Sequence, residues 1–296
     1  MFRSLLTKAS LLLTFFSTAT SAEPQVWLAK DPQRQFVMMG SIHVGNHQLY
    51  PLPTAFTRYW PDADGLILEA NIQKHFEMPA IPEAHFTRKL LPPDDLRKLK
   101  DLAAEYQLST YHLLEGPPWL TAMQLQMAQS LKLGLTPDQG IDQTLFYQAQ
   151  KESLPIYELE GIAEQFRILN SLPDHGLDLL QVTLREWHLL EEELQCLLTA
   201  WQTGNNAVLT ELSQDIALSD DTEQRLLIRR NQNWATQLAH GSQYQKGTFL
   251  VVVGAYHMIG EYGLPALLKK QGFTVEQINT AQPVSCQSGL ASQPPP

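Results

Sequence analysis

Two histidines stand at the same short spacing after a glycine, in Gly40-Ser41-Ile42-His43 and in Gly254-Ala255-Tyr256-His257. Each Gly-x-x-His follows an apolar run, Phe36-Val37-Met38-Met39 in the first case and Phe249-Leu250-Val251-Val252-Val253 in the second. A buried strand that stops at a glycine and delivers a histidine three residues later places an imidazole at a sheet edge. A third apolar run, Gly65-Leu66-Ile67-Leu68, ends in Glu69. Two imidazoles and one carboxylate are a familiar set for a divalent metal, with a position left for water or substrate. A metal so held lowers the pKa of bound water and polarises a carbonyl, which is hydrolysis near neutral pH. The plainer alternative, structural histidines satisfied within the fold, stays open at this point.

Other polar groups could join such a site. Tyr157-Glu158-Leu159-Glu160 ends a fourth strand-like run, and its alternation puts Glu158 and Glu160 on one face. Glu160, nearer the carboxyl end, is the better site candidate; its alternative is a charge at the start of the next helix. Arg229-Arg230-Asn231 falls in a helical pattern. An arginine there either clamps a carboxylate or stabilises an oxyanion, or else lies on a solvated face. Asp142, after Gly140-Ile141, reads as a partner of a helix dipole or as an acceptor behind a ligand histidine. His47 reads as a loop residue near the site, and the remaining histidines fall in helical or polar surroundings.

The elements that must position these groups follow from periodicity. Strands are predicted over 26–30, 36–41, 65–69, 154–159, 248–254 and 274–278. Several are continuously apolar, as suits strands covered on both faces. Helical patterns fill the gaps, over 94–106, from 117–118 onward, over 177–198, over 222–240 with Asp220 and Asp221 as caps, and over 262–271 before Gly272. Thr136-Pro137-Asp138-Gln139 reads as a capping box opening a helix with Ile141, Leu145, Phe146 and Ala149 on one face. The expected fold is α/β: a central mixed sheet whose strands end in the two Gly-x-x-His motifs, flanked by helices and large helical insertions. No linker divides it, so residues 23–281 are expected to form a single domain, with 282–296 a disordered polar tail rich in proline.

The first residues read as a secretory signal peptide, with Arg3 and Lys8 before Leu11-Leu12-Leu13-Thr14-Phe15-Phe16 and Thr20-Ser21-Ala22 at the cleavage point. The apolar run is short for a membrane span, and no later segment is long enough either, so the cleaved chain is not expected to be transmembrane. A periplasmic or secreted location follows. Loss of residues 1–22 removes two cations and no acid, taking the net charge from −10 to −12. So acidic a chain is a poor partner for nucleic acid or an anionic membrane. Cys196 and Cys286 are the two cysteines, free to pair in an oxidising compartment but too few for a cysteine metal site. A Gly-x-Ser-x-Gly elbow, a phosphate loop and a dinucleotide fingerprint are all absent from the sequence. Nothing in it indicates an oligomeric state.

Gly40-Ser41-Ile42-His43, Leu68-Glu69, Gly140-Ile141-Asp142, Leu159-Glu160, Arg230-Asn231 and Val253-Gly254-Ala255-Tyr256-His257 occur in an order that resembles the TraB/GumN family, as does the sequel Gly260 and Gly263-Leu264-Pro265-Ala266-Leu267-Leu268. That family includes the metal-dependent Tiki proteases, and its fold is similar to that of erythromycin-esterase and ChaN-like proteins. The resemblance implies a metal and catalytic centre of His43, Glu69 and His257, with Mn²⁺, Co²⁺ or Zn²⁺ as cofactor. It implies that Arg230, Asn231 and Glu160 are catalytic or supporting residues, with Arg230 and Asn231 orienting the substrate carbonyl. The expected activity is hydrolysis of a peptide or amide bond in a peptide or exported protein. The alternative is a non-catalytic binder of metal, haem or peptide in the same pocket.

Overall fold

The computed structural model describes residues 23–283 except 72 and 78, together with Cys286. The expected leader and the last ten residues of the expected tail lie outside the described residues. The six expected strands are present as β1 (Val26–Lys30), β2 (Arg34–Ser41), β3 (Gly65–Leu68), β4 (Ile156–Glu158), β5 (Gly247–Gly254) and β6 (Thr274–Gln277). They form one mixed sheet in the order β4-β3-β5-β2-β1-β6. The strands β4, β3, β5 and β2 run parallel to one another, while β1 lies antiparallel to both β2 and β6.

The continuous apolar runs have the reason anticipated for them. Val37, Met39, Leu66, Leu68, Leu250 and Val252 enter a core on one face, and Phe36, Met38, Ile67, Phe249, Val251 and Val253 enter a second core on the other. A strand covered on both sides has no polar face to show. A third core lies wholly among helices, where Leu99, Leu102, Leu125, Leu180 and Leu184 pack together. It belongs to the large insertion between β3 and β5.

Several helical boundaries differ from expectation. The Thr136 side chain makes no capping bond; Pro137–Gln139 is a 3-10 turn, and Gly140 precedes the Ile141–Glu152 helix. The pattern over 177–198 is two helices, Leu177–Arg185 and Leu190–Gln202. Ser219, rather than Asp220 or Asp221, caps the next segment by accepting from the Thr222 N–H. The expected continuous helix over 222–240 contains a π-helical stretch, Gln224–Ile228, before Arg229–His240 resumes α-helical pairing. Cys196 and Cys286 form a disulfide.

Candidate active site

Parallel α/β sheets place their sites outside the carboxyl ends of the strands, and here three adjacent strands, β3, β5 and β2, deliver Glu69, His257 and His43 to one edge. The register pairs Ser41 with Gly254, so the two Gly-x-x-His motifs are offset by one residue. After β5 a 3-10 turn, Ala255–Met258, folds His257 back under the sheet edge, and the side chain is 9 % exposed. After β2 the chain runs on to Gly45, whose N–H and C=O pair with Thr136. His43 is thereby left facing open space, with 67 % of its side chain exposed.

The three groups converge beside Gly254. A methyl group built on Gly254 would lie 3.3 Å from Glu69 Oε1, 3.5 Å from His257 Cδ2 and 3.6 Å from His43 Nε2. The glycine is what keeps that point open. The Gly254 N–H also donates to Glu69 Oε1 at 2.7 Å, and His257 Nε2 lies 3.8 Å from the same oxygen.

Each imidazole is oriented through its Nδ1. Asp142 Oδ2 lies 2.9 Å from His43 Nδ1, and its other oxygen accepts from the Ser41 hydroxyl at 2.7 Å. Asp142 reaches His43 because Gly140 packs directly on the His43 carbonyl, where a side-chain carbon would stand 2.2 Å from the oxygen. Asn231 Oδ1 lies 2.6 Å from His257 Nδ1, while the Asn231 amide donates to the Tyr262 carbonyl at 2.8 Å. That amide arrangement makes His257 Nδ1 the protonated nitrogen and leaves the Nε2 lone pair forward.

Arg230 fills the space behind. Its guanidinium donates to Glu69 Oε2 at 2.6 Å, to both oxygens of Glu160 at 2.5–3.2 Å, to the Leu226 carbonyl at 3.0 Å and to His257 Nε2 at 3.2 Å. Trp234, one helical turn on, stacks under it with the guanidinium carbon 4.7 Å from a ring centre, and donates to Glu160 at 3.3 Å. Gln165 adds a 3.3 Å contact to Glu69. Among the described residues no group of three or more His, Cys, Asp or Glu is spaced to hold a metal ion. Arg230 instead takes the His257 lone pair and one oxygen of Glu69.

The electrostatics separate the two histidines. Asp142 pushes His43 up to about 9, with burial of its surroundings opposing and Glu69 assisting. Water reaching the exposed ring screens part of that attraction. Burial pushes His257 down to about 4 in spite of Glu69. Burial alone would raise Glu69, yet the surrounding cations and the Gly254 N–H hold it near 2. His257 is neutral above about pH 4, so around neutrality Arg230 and His43 hold Glu69 ionised.

The sequence-predicted groups His43, Glu69, His257, Arg230, Asn231 and Glu160 therefore meet in one cluster, with two corrections of role. Asn231 is fully buried and Arg230 is saturated by carboxylates and carbonyls, so neither reaches a substrate carbonyl as expected. Both position other groups. Glu158 does not share the site with Glu160; it pairs with Lys74 at 2.7 Å. His47 is exposed on the neighbouring turn, away from the cluster's hydrogen bonds. Trp234, Gln165 and Ser41 were not singled out from the sequence. Trp234 was findable, being four residues after Arg230 and thus on the same helix face.

A cavity of about 580 Å³ opens over this edge, with Ser41, His43, Gly254 and His257 at its floor. No helix of the described residues is long and apolar enough to cross a membrane. Comparison with known proteins agrees with the motif order. The chain is 32 % identical over 251 residues to the uncharacterized protein YbaP of Escherichia coli (strain K12), covering 83 % of this chain and 92 % of that protein. The uncharacterized protein YbaP of Shigella flexneri matches with the same identity and coverage. No solved structure matches the chain. The model of the TraB/PrgY/gumN family matches residues 25–277, nearly the whole described chain, and the protein belongs to that family.

Proposed function

We propose that the protein is an exported hydrolase that cleaves a peptide or amide bond at the β2–β5–β3 edge. The observation that carries this reading is the meeting of His43, Glu69 and His257 beside Gly254, with His43, Gly254 and His257 on a pocket floor and Glu69 buried directly behind it. A cationic imidazole and a neutral one flank that point, so His43 carries a transferable proton at a pH where His257 is uncharged. His43, held by Asp142, is the donor to a leaving amine. Glu69, ionised, accepts from an attacking water, and its second oxygen is held by Arg230. Asn231 and Glu160 fix His257 and Arg230 in turn. Export is supported by the leader-like first residues and by the disulfide.

The donor types and their orienting partners suit a divalent Mn, Co or Zn ion. His43 and Glu69 would hold it, and His257 would join once Arg230 releases its lone pair. When bound, such an ion supplies a polarising charge and a more acidic water. A haem-binding role has the exposed His43 and apolar walls in its favour. The pocket lining, however, has no Lys or Arg to meet propionates, so hydrolysis is the better-supported reading.

The test is peptide turnover by wild type, His43→Ala and Gly254→Ala, before and after chelation and metal return. Loss of a positioned proton donor lowers rates roughly 10²–10⁴-fold, and a methyl at residue 254 closes the central point. Full activity of His43→Ala would sink the hydrolase. Indifference of the wild type to chelator would remove the metal alone, and a Soret band with no turnover would turn the reading to haem.

A further inference from the structure

We infer that the hydrolase acts beside a large apolar side chain, which the cavity over the site is shaped to receive; the inference rests on the hydrolase reading for its chemistry but not for its binding. The floor and the walls of this cavity differ in kind. The floor is the polar strand edge with His43 and His257. The walls are Leu197 from the Leu190–Gln202 helix, Ile216, Ala217 and Leu218 from the connection after the Asn206–Asp215 helix, and Leu226 and Leu227 from the π-helical turn.

A substrate whose carbonyl lies on the floor can rest its neighbouring side chain against those walls, with Ser213 and Gln214 also in the lining. A volume of about 580 Å³ falls within the usual range for small-ligand pockets, about 300–1,000 Å³. That is room for one large side chain with flanking backbone. Glu223 is the one charged lining residue besides the imidazoles. An acidic side chain against those walls would therefore meet the like charge of Glu223, with the one cation of the lining, His43, on the floor, while a phenyl or isobutyl group would meet leucine and isoleucine. Burial of such a group is favourable by about 25 cal/mol for each Å² removed from water.

The π-helical turn ties this pocket to the chemistry. The Arg229 N–H pairs with the Gln224 carbonyl, five residues back, so the helix is locally wider than an α-turn. The Leu226 carbonyl accepts from the Arg230 guanidinium at 3.0 Å. One widened turn thus presents Leu226 and Leu227 to the cavity while it seats Arg230 between Glu69 and Glu160. A residue that shapes the pocket and a residue that sets the site share a single backbone irregularity.

The test is calorimetric binding of the blocked tripeptides Ala-Phe-Ala and Ala-Asp-Ala to the full chain, with Ala217→Trp and Leu218→Asn as variants. Ala217 is exposed on the rim, so a tryptophan there fills the cavity without entering the core. Wild type is expected to bind Ala-Phe-Ala at least about tenfold more tightly than Ala-Asp-Ala, the smallest discrimination that an apolar pocket usually gives. Each variant is expected to lose that preference while keeping the wild-type circular dichroism. Equal binding of the two tripeptides, or an unchanged preference in both folded variants, overturns the inference. Binding is read without turnover, so the hydrolase can fail while the apolar pocket stands, and the pocket can fail while peptides are still cleaved.

Discussion

His43 and His257 are each third after a glycine, yet they sit in opposite surroundings. Met258 and Ile259 explain the difference, since both are buried in apolar clusters and draw the turn after β5 inward, carrying His257 with it. After His43 the next residue, Val44, is only partly buried against a core, and Gly45 pairs with Thr136, far along the chain. The consequence is a stability profile with two limbs. Glu69, near 2 against an ordinary 4.5, contributes stability that is complete above about pH 4.5 and shrinks as pH falls toward 2. His257, near 4 against 6.5, is buried neutral, so its contribution is complete above 6.5 and is lost as pH falls toward 4. His43 runs the other way: its contribution is complete below 6.5 and is lost as pH rises through about 9. Thermal melts across pH should show acid and alkaline losses, with the alkaline limb flattened in His43→Ala. An alkaline limb of equal slope in that variant would show that Asp142 does not hold a proton on His43. The meeting of both histidines with Glu69 was legible from the strand-ending pattern. Their unlike protonation was not, because it depends on what each loop packs against.

Two features of the elements set the geometry that the residues use. The Ile141–Glu152 helix begins against the His43 loop, where the Ile141 N–H donates to the Ile42 carbonyl at 3.0 Å and Gly140 touches the His43 carbonyl. A side chain at 140 has only backbone to displace, so Gly140→Ala should push the helix start away and withdraw Asp142. The expected result is a folded protein whose His43 titrates nearer 6.5 by NMR, with activity reduced about tenfold or more. An unshifted titration would mean that the helix start is free to adjust. The second feature is the π-helical turn. Apolar spacing over five residues does not distinguish a π-turn from an α-turn, so the sequence reads as one unbroken helix over 222–240. Arg230 and Asn231 were visible there as a polar step, while their roles depend on the widened backbone that aims them. The capping box at Thr136 failed for a related reason. The Thr136 backbone pairs with Gly45, a 3-10 turn follows, and the helix starts later at Ile141.

At the scale of the whole molecule, the sheet joins the two ends of the chain. β2 pairs with β5, and β1 lies between β2 and β6. The six strands and their mixed α/β class were legible because buried runs bounded by turns are strong signals. Strand order was not, since it depends on which distant runs meet. The disulfide adds a further long-range tie between Cys196 and Cys286, across a separation of 90 residues. With only two cysteines, pairing was open from sequence, but proximity had to come from the fold. Cys286→Ser should lower stability by about 2–4 kcal/mol and should match wild type melted in reductant. It should also weaken Ala-Phe-Ala binding, because Leu197 of the cavity wall adjoins Cys196. An unchanged melting temperature would mean that the bond does not restrain the unfolded chain.

Because early β2 must wait for late β5 before it has a parallel neighbour, no amino-terminal fragment can assemble this edge. A chain emerging from the ribosome holds His43 long before His257 exists, so the two imidazoles come together only when synthesis is nearly complete. Premature termination anywhere before the second glycine-histidine step would leave a product without the assembled cluster.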